Sequence, residues 1–168
     1  MNSIFDSELE NLQQLSVSSE QLKLYQVLCL PENLGRTKDI AKLFDSPGSI
    51  NLSKLLKQNG LKCANTYDLN LTIPSVERRS GDIWLGLVWI LDNIALPLVL
   101  GIISSIVGSI VIANSKRPDK SNSDVHISLE IQHDKDAFTR FDYDGDAKIL
   151  IKILNGLNSN EDKGDTNK

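Results

Sequence analysis

The sequence is poor in cysteine and in aromatic residues, and it has no large excess of either charge. Two cysteines in 168 residues are too few for a disulfide framework and indicate a reducing compartment. Lysine and arginine number 18 against 22 acidic residues, which gives a formal net charge of -4. The composition excludes collagen-like and wholly disordered chains. The length fits one ordinary domain or two very small ones.

The first residues also lack a secretory signal. They carry Asp6, Glu8 and Glu10 and no positive region followed by an apolar core. We therefore expect the N-terminus to lie in the cytosol, with residues 1–17 as an N-terminal arm.

Residues 18–76 predict a domain of three short helices. Apolar residues at helical spacing predict a first helix from residue 18 to Pro31. Two further helices are expected at about 37–44 and 50–59, separated by a turn that contains Pro47 and Gly48. The alternating stretch 67–73 predicts a strand.

Residues 83–113 are apolar or small apart from Asp92 and Asn93. Within them, 94–113 is an uncharged run of the length that a transmembrane helix requires, and Trp84 and Trp89 precede it as interfacial aromatics would. We therefore predict, within residues 77–113, an interfacial or pore-mouth helix that leads into a single membrane span.

The C-terminal part predicts a small ββα domain over residues 125–157. Strands are expected at 125–131 and 137–143, followed by a helix at about 146–157. Residues 114–124 would be a linker and 158–168 a disordered tail. The predicted fold class is thus a membrane protein of α+β type, with an N-terminal three-helix domain, one long membrane helix and a C-terminal ββα unit.

Small residues recur at three- and four-residue steps along the predicted span. They are Gly101, Ser104, Ser105, Gly108 and Ser109. Such spacing lets helix backbones approach closely in lipid, so we expect homo-oligomers. The alternative is a lone anchor, because small residues are common in such helices.

Asp92 and Asn93 lie at the edge of the apolar segment. In an oligomer, copies of Asp92 would form an acidic ring at a pore entrance, which would select cations. Equally, the two residues could lie at the level of the lipid headgroups and only mark the start of the span.

Basic residues are concentrated in two stretches ahead of the apolar segment. They are Arg36, Lys38, Lys54, Lys57 and Lys62 in the N-terminal domain, and Arg78 and Arg79 beside the membrane. The segment RTKDIAKLFDSPGSINLSKLLKQNGL resembles a winged helix-turn-helix, which implies either nucleic-acid binding or protein docking. Arg78 and Arg79 could bind the phosphate of an anionic lipid or of a soluble ligand.

Other apparent motifs fail. Asp142, Asp144 and Asp146 are spaced like the start of a calcium loop, but Ala147 and Ile153 stand where that loop needs Gly and Glu. His126 and His133 have no cysteine near them in the sequence, so we expect no metal site. We expect no cofactor and no enzymatic activity.

In architecture the chain resembles the membrane effectors of bacterial anti-phage defence, most closely the membrane subunit of the Hailong system. The residues behind this resemblance are the basic helical segment, the Arg78–Arg79 pair and the small-residue helix. It implies an ion channel held closed by single-stranded DNA oligomers, or another oligonucleotide or nucleotide, that a partner nucleotidyltransferase makes. It also implies a single-pass protein of the bacterial inner membrane with a cytosolic N-terminal domain. The alternatives are a membrane-tethered DNA-binding transcription regulator and a non-conducting scaffold subunit.

Overall fold

The computed structural model describes residues 4–77, 81–116, 124–134 and 137–164. Within these ranges the chain forms five α-helices and five strands. The helices are α1 (Ile4–Gln14), α2 (Ser19–Leu22), α3 (Ser49–Gln58), α4 (Leu96–Ser115) and α5 (Ala147–Gly164). The strands are β1 (Val27–Leu30), β2 (Cys63–Ala64), β3 (Ile83–Ile90), β4 (Asp124–Asp134) and β5 (Ala137–Asp146).

All five strands belong to one mixed sheet with the order β2-β1-β3-β4-β5. The pairs β1–β2 and β3–β4 are parallel, and each pair is joined by a helix, α3 and α4 respectively. The pairs β1–β3 and β4–β5 are antiparallel. The fold is therefore mixed α+β with one long apolar helix.

Hydrophobic clusters cover both faces of the sheet. One cluster joins α3, α4 and α5 to the first face, and the other packs α1 and α2 against the second. Strand β1 shows the division, because Val27 and Cys29 enter the first cluster while Leu28 and Leu30 enter the second. Side chains alternate across a strand, so a central strand covered on both faces is apolar throughout.

The predicted three-helix, winged-helix-like domain is not confirmed. The first predicted helix ends at Leu22, and Val27–Leu30 is a strand instead, because its pairing with β3 and burial on both faces override helical spacing. The second is reduced to one 3-10 turn, Ile40–Lys42, capped by the side chain of Asp39. The third corresponds to α3.

No strand forms at residues 67–73, so the predicted wing is absent from the described structure. Instead, the backbone N–H of Asp68 bonds to Oδ1 of Asn65, and that of Leu69 bonds to the Asn65 carbonyl. These local bonds satisfy the backbone in a turn and compete with a strand ladder.

The prediction of one helical segment from residue 83 was wrong in its first part. Ile83–Ile90 is β3, which lies between β1 and β4 and is buried along nearly all of its length. A central strand and a buried helix give the same apolar run in sequence. Helix α4 begins only at Leu96, and Pro97 lies in its first turn, where a missing N–H costs nothing.

The C-terminal elements β4, β5 and α5 follow the predicted order strand, strand, helix. They are not confirmed as a separate ββα unit, because β4 pairs along the whole of β3 and α5 packs on α4. Helix α5 extends to Gly164, into the stretch predicted to be a disordered tail.

Candidate functional site

Helix α4 is the most unusual element of the structure. It has 20 residues and no charged side chain, and at 1.5 Å per residue it is about 30 Å long. With the preceding turn it forms a segment, Asn93–Ser115, that is long and apolar enough to cross a membrane. Only 33% of its most apolar stretch is buried by the rest of the chain. The helix therefore presents apolar surface in two directions.

The buried side of α4 faces the sheet and α5. Its fully covered side chains are Leu96, Val99, Leu100, Ile103 and Val107. On the opposite side Ile112 is 64% exposed, and in the turn before α4 Ile94 is 87% exposed. Between α4 and α3 there is a groove of about 340 Å³, which Leu55, Leu98 and Gly101 help to line.

The small residues of α4 divide between these two sides. Gly101, Ser105 and Ser109 are exposed, and the hydroxyl of Ser109 donates to the Ser105 carbonyl at 2.9 Å. Gly108 is half-buried, with its Cβ position 3.9 Å from Cδ1 of Ile151 on α5. The hydroxyl of Ser104 is shielded from solvent without a hydrogen-bond partner among the described residues. The exposed small residues thus form one strip on the outer side of α4.

Substituting Gly101 with Ala is expected to stabilise the fold by about 0.5–1 kcal/mol, because alanine loses less backbone entropy in a helix. No atom of another described element lies within 4 Å of a Cβ built there. Urea unfolding followed by circular dichroism measures the change. A loss of stability in the monomer would show that an unrecognised contact occupies this position.

Asp92 and Asn93 act as capping and tethering residues at the start of the helical segment. Oδ1 of Asp92 accepts from the backbone N–H of Ile94 at 3.0 Å, and Oδ2 accepts from Nε2 of Gln26 at 3.0 Å. Nδ2 of Asn93 donates to the carbonyl of His133 at 2.8 Å. In this arrangement Asp92 marks where the apolar segment begins.

The predicted basic ligand site is not gathered on one surface. Lys54 and Lys57 lie on α3, on the first face of the sheet, and Lys57 is paired with Asp68. Arg36 lies on the second face, beside a small cavity that Ser128 also lines. Lys38 and Lys62 are exposed in separate loops. Arg78 and Arg79 are outside the described residues.

A buried charge cluster, which sequence reasoning missed, lies where α1 crosses β4 and β5. Glu8 is 1% exposed, and its carboxylate accepts from Arg140 and from Nε1 of Trp89, the latter at 2.9 Å. Arg140 also donates to Glu130 at 3.2 Å and to Asp142 at 3.0 Å. We call Glu8, Glu130, Arg140 and Asp142 the charge cluster. One guanidinium therefore donates hydrogen bonds to three carboxylates.

Burial and pairing shift the pKa values of this cluster in opposite directions. Burial raises the pKa of Glu8 and Glu130 above the ordinary value, although the bonds from Arg140 oppose this rise. Burial also tends to raise the pKa of Asp142, but a hydrogen bond from Ser128 and the guanidinium of Arg140 outweigh it and lower that pKa. The two buried glutamates thus hold their negative charge less readily than an exposed glutamate does.

A second polar group lies farther along the same face of β4. Nδ1 of His126 is 2.7 Å from a carboxylate oxygen of Asp144, and Nε2 is 3.2 Å from one of Asp82. The imidazole stacks on the indole of Trp84 with ring centroids 3.7 Å apart. These contacts hold the histidine ring in one orientation near the start of β4.

Apart from Glu8, Asp82 and Trp84, the residues of these two polar groups lie on one face of the β4–β5 hairpin. His126, Ser128 and Glu130 alternate along β4 opposite Asp144, Asp142 and Arg140 on β5. The alternation of polar residues along the two predicted strands was the sequence signal from which this polar face could have been predicted. In the described parts of the chain, no group of three or more His, Cys, Asp or Glu side chains is placed to hold a metal ion.

Comparison of this chain with models of protein families, with curated proteins and with solved structures finds no match.

Proposed function

We propose that this protein is a membrane-active effector that forms homo-oligomeric, ion-conducting pores. In its resting state the apolar helix α4 packs against the protein's own sheet, and in the active state α4 is released from the sheet and inserts into the membrane. The observation that carries this proposal is the partial burial of α4. A 20-residue helix without charge is apolar on the side that the sheet covers and on the side that it leaves open. A helix that is apolar all round is typical of a membrane span or the centre of a large protein.

In the proposed mechanism this structure is the resting state of the protein, because of the way in which α4 is connected to the sheet. The helix connects β3 and β4, which are parallel and hydrogen-bonded neighbours. A single crossing of a bilayer would place the two strands on opposite sides of the membrane. Insertion as a single span therefore requires β3 and β4 to separate.

Release of α4 would cost more free energy at the surface of the sheet that it leaves than at the surface of the helix itself. The covered side chains of α4 would pass from protein to hydrocarbon, which is equally apolar. The residues that they leave, among them Val88, Ile90 and Leu129, would meet water unless another surface covered them. Association of several copies would provide that cover, and the exposed strip of Gly101, Ser105 and Ser109 would let the released helices approach closely.

The resemblance to anti-phage effectors extends this proposal. The membrane would be the bacterial inner membrane, and the N-terminal part would remain in the cytosol. A ligand that binds only the resting state opposes opening by its differential affinity for that state. An oligonucleotide or nucleotide from a partner nucleotidyltransferase is the ligand that the resemblance implies.

Tethering α4 to α5 tests the proposal. Gly108→Cys combined with Ile151→Cys places two thiols on facing helices, and a short reducible bifunctional reagent can join them. The native cysteines, Cys29 and Cys63, are buried and should not compete. We expect the untethered variant to release ions from liposomes of anionic bacterial lipids. The tethered protein should release no ions, and reductive cleavage of the cross-link should restore ion release.

Two controls accompany the tethering experiment. Each single-cysteine variant, treated with the same reagent, should conduct like the untreated protein. Gly101→Leu should abolish both conductance and cross-linked oligomers, since it fills the strip between helices. Failure of the untethered protein to associate with lipid, or equal release by the tethered form, would contradict the proposal.

A further inference from the structure

A second cavity lengthens the groove between α3 and α4. The groove of about 340 Å³ beside Leu98 and Gly101 adjoins a cavity of about 330 Å³, which is lined by the first turns of α3, the start of β3 and the later turns of α4. Leu55 and Ile106 line both spaces, so the two meet at these side chains. We call the two spaces together the α3–α4 groove.

The α3–α4 groove is long and narrow. On α4 its lining runs from Pro97 to Asn114, which at 1.5 Å per residue is about 26 Å. The combined volume of its two parts lies within the range of small-molecule sites. An α-helix is about 10–12 Å across, so a helix of this length would fill about three times that volume. The groove therefore fits a single extended chain of atoms and not a helix from a second copy.

The lining of the groove is apolar along its length and charged only at one end. Leu55 and Leu98 line it and are exposed, although both are large and hydrophobic. Asp82 is the one charged residue among its described lining residues, and the Asp82 carboxylate already contacts Nε2 of His126. An anionic ligand would find no cation here, whereas an apolar ligand would cover surface that water now contacts.

The remaining segments of this sequence are not apolar enough to fill the groove. Apart from Met1 and Pro118, the residues outside the described ranges are polar or charged. At Gly101 no atom of another described element lies within 4 Å of a Cβ built there, so the groove is open to an incoming ligand at that point. Its shape and polarity together point to a hydrocarbon ligand from outside the chain.

We infer that the α3–α4 groove binds the unbranched hydrocarbon chain of a single-chain lipid whose head group is uncharged. The hydrocarbon chain would lie along α4 against Leu55, Leu98 and Ile106 and cover their exposed apolar surface. Because no cation lines the groove, a carboxylate or phosphate head group would gain no ion pair there. The inference concerns the structure with α4 in place and does not depend on pore formation.

The probes are unbranched 1-alkanols from hexanol to decanol, which combine the hydrocarbon chain with an uncharged head group. Isothermal titration calorimetry on the full chain in detergent-free buffer measures their affinity. We expect the affinity to rise about fourfold with each added methylene, because burial of one methylene contributes about 0.8 kcal/mol.

Two further compounds test the shape and the charge of the ligand. The compact cage 1-adamantanol has as many carbon atoms as 1-decanol but cannot extend along the groove. It should bind at least about tenfold more weakly than 1-decanol, because it buries fewer carbon atoms. Decanoate should also bind more weakly than 1-decanol, because its carboxylate loses hydration without gaining an ion pair.

Substitution of Leu55 tests whether the ligand lies in this groove. Leu55 and Ile50 are 37% and 45% exposed on α3, but of the two only Leu55 lines the groove. Leu55→Asn should weaken 1-decanol binding about tenfold, and Ile50→Asn, the matched control, should leave it unchanged. Gly101→Leu places a side chain in the groove and should also weaken binding. It serves as a second variant should Leu55→Asn fail to fold.

Four results would overturn the inference. The first is an affinity that does not rise with chain length, and the second is equal affinity of 1-decanol and either 1-adamantanol or decanoate. The third is 1-decanol binding that Leu55→Asn and Gly101→Leu leave intact. The fourth is association with phospholipid vesicles without binding of any alkanol, which would mean that this face docks on a membrane surface instead.

Discussion

Replacing Arg140 with Met is expected to reduce the free energy of unfolding by about 3–5 kcal/mol, the usual cost of removing one partner from a buried ion pair. Glu8 and Glu130 are 1% and 4% exposed, and both depend on this guanidinium for charge compensation. Methionine fills a similar volume, so the loss reports on charge more than on a cavity. Urea unfolding followed by tryptophan fluorescence at neutral pH measures it.

The triple variant Arg140→Met, Glu8→Gln, Glu130→Gln is the matched control. Without buried carboxylates there is no charge to compensate, so most of the lost stability should return. If the triple variant is no more stable than Arg140→Met, the loss arises from packing and the electrostatic explanation is wrong.

The stability deficit of Arg140→Met should also depend on pH. Both glutamates have folded-state pKa values above the ordinary 4.5, and loss of the guanidinium raises these pKa values further. A carboxyl whose pKa is raised on folding contributes stability that is present below the unfolded pKa and is lost as pH rises through the folded pKa. The deficit should therefore be small near pH 4.5 and grow towards neutral pH.

Elements with a local sequence signature could be predicted, and elements defined by their neighbours could not. Helix α3 follows a strong turn and has leucines at helical spacing, and β4 and β5 alternate clearly. Val27–Leu30 and Ile83–Ile90 are apolar throughout because they lie in the middle of a sheet covered on both faces. Such runs have no periodicity from which to distinguish a strand from a buried helix.

The charge cluster likewise contains a part that local sequence patterns predict and a part that depends on the packing of distant elements. Glu130 and Arg140 are directly opposite each other in the β4–β5 hairpin, so the predicted strands and turn nearly determine their pairing. Glu8 lies 132 residues from Arg140 in the sequence, and only the packing of α1 against the second face of the sheet brings the two together. The basic residues that the sequence predicts as a ligand site are, in contrast, dispersed by the fold over α3, the second face of the sheet and separate loops.

Leu154→Ala is expected to lower the free energy of unfolding by about 2–5 kcal/mol and, at the same time, to increase conductance in liposomes. Leu154 is fully buried in the cluster that joins α5, α4 and the sheet. Its truncation leaves the composition of α4 unchanged but weakens the surface that holds α4 in place. Under the proposed function, a less stable resting state releases the helix at lower protein concentration.

Leu34→Ala separates release of α4 from general loss of stability. Leu34 is equally buried but belongs to the cluster on the opposite face of the sheet, among α1 and α2. Its truncation should cost about the same 2–5 kcal/mol, measured by urea unfolding, with little gain in conductance. Only the coupling of α4 to its own face of the sheet distinguishes the two variants. Equal gains in conductance from both would mean that unfolded chains permeabilise the membrane, and that α4 has no separate release step.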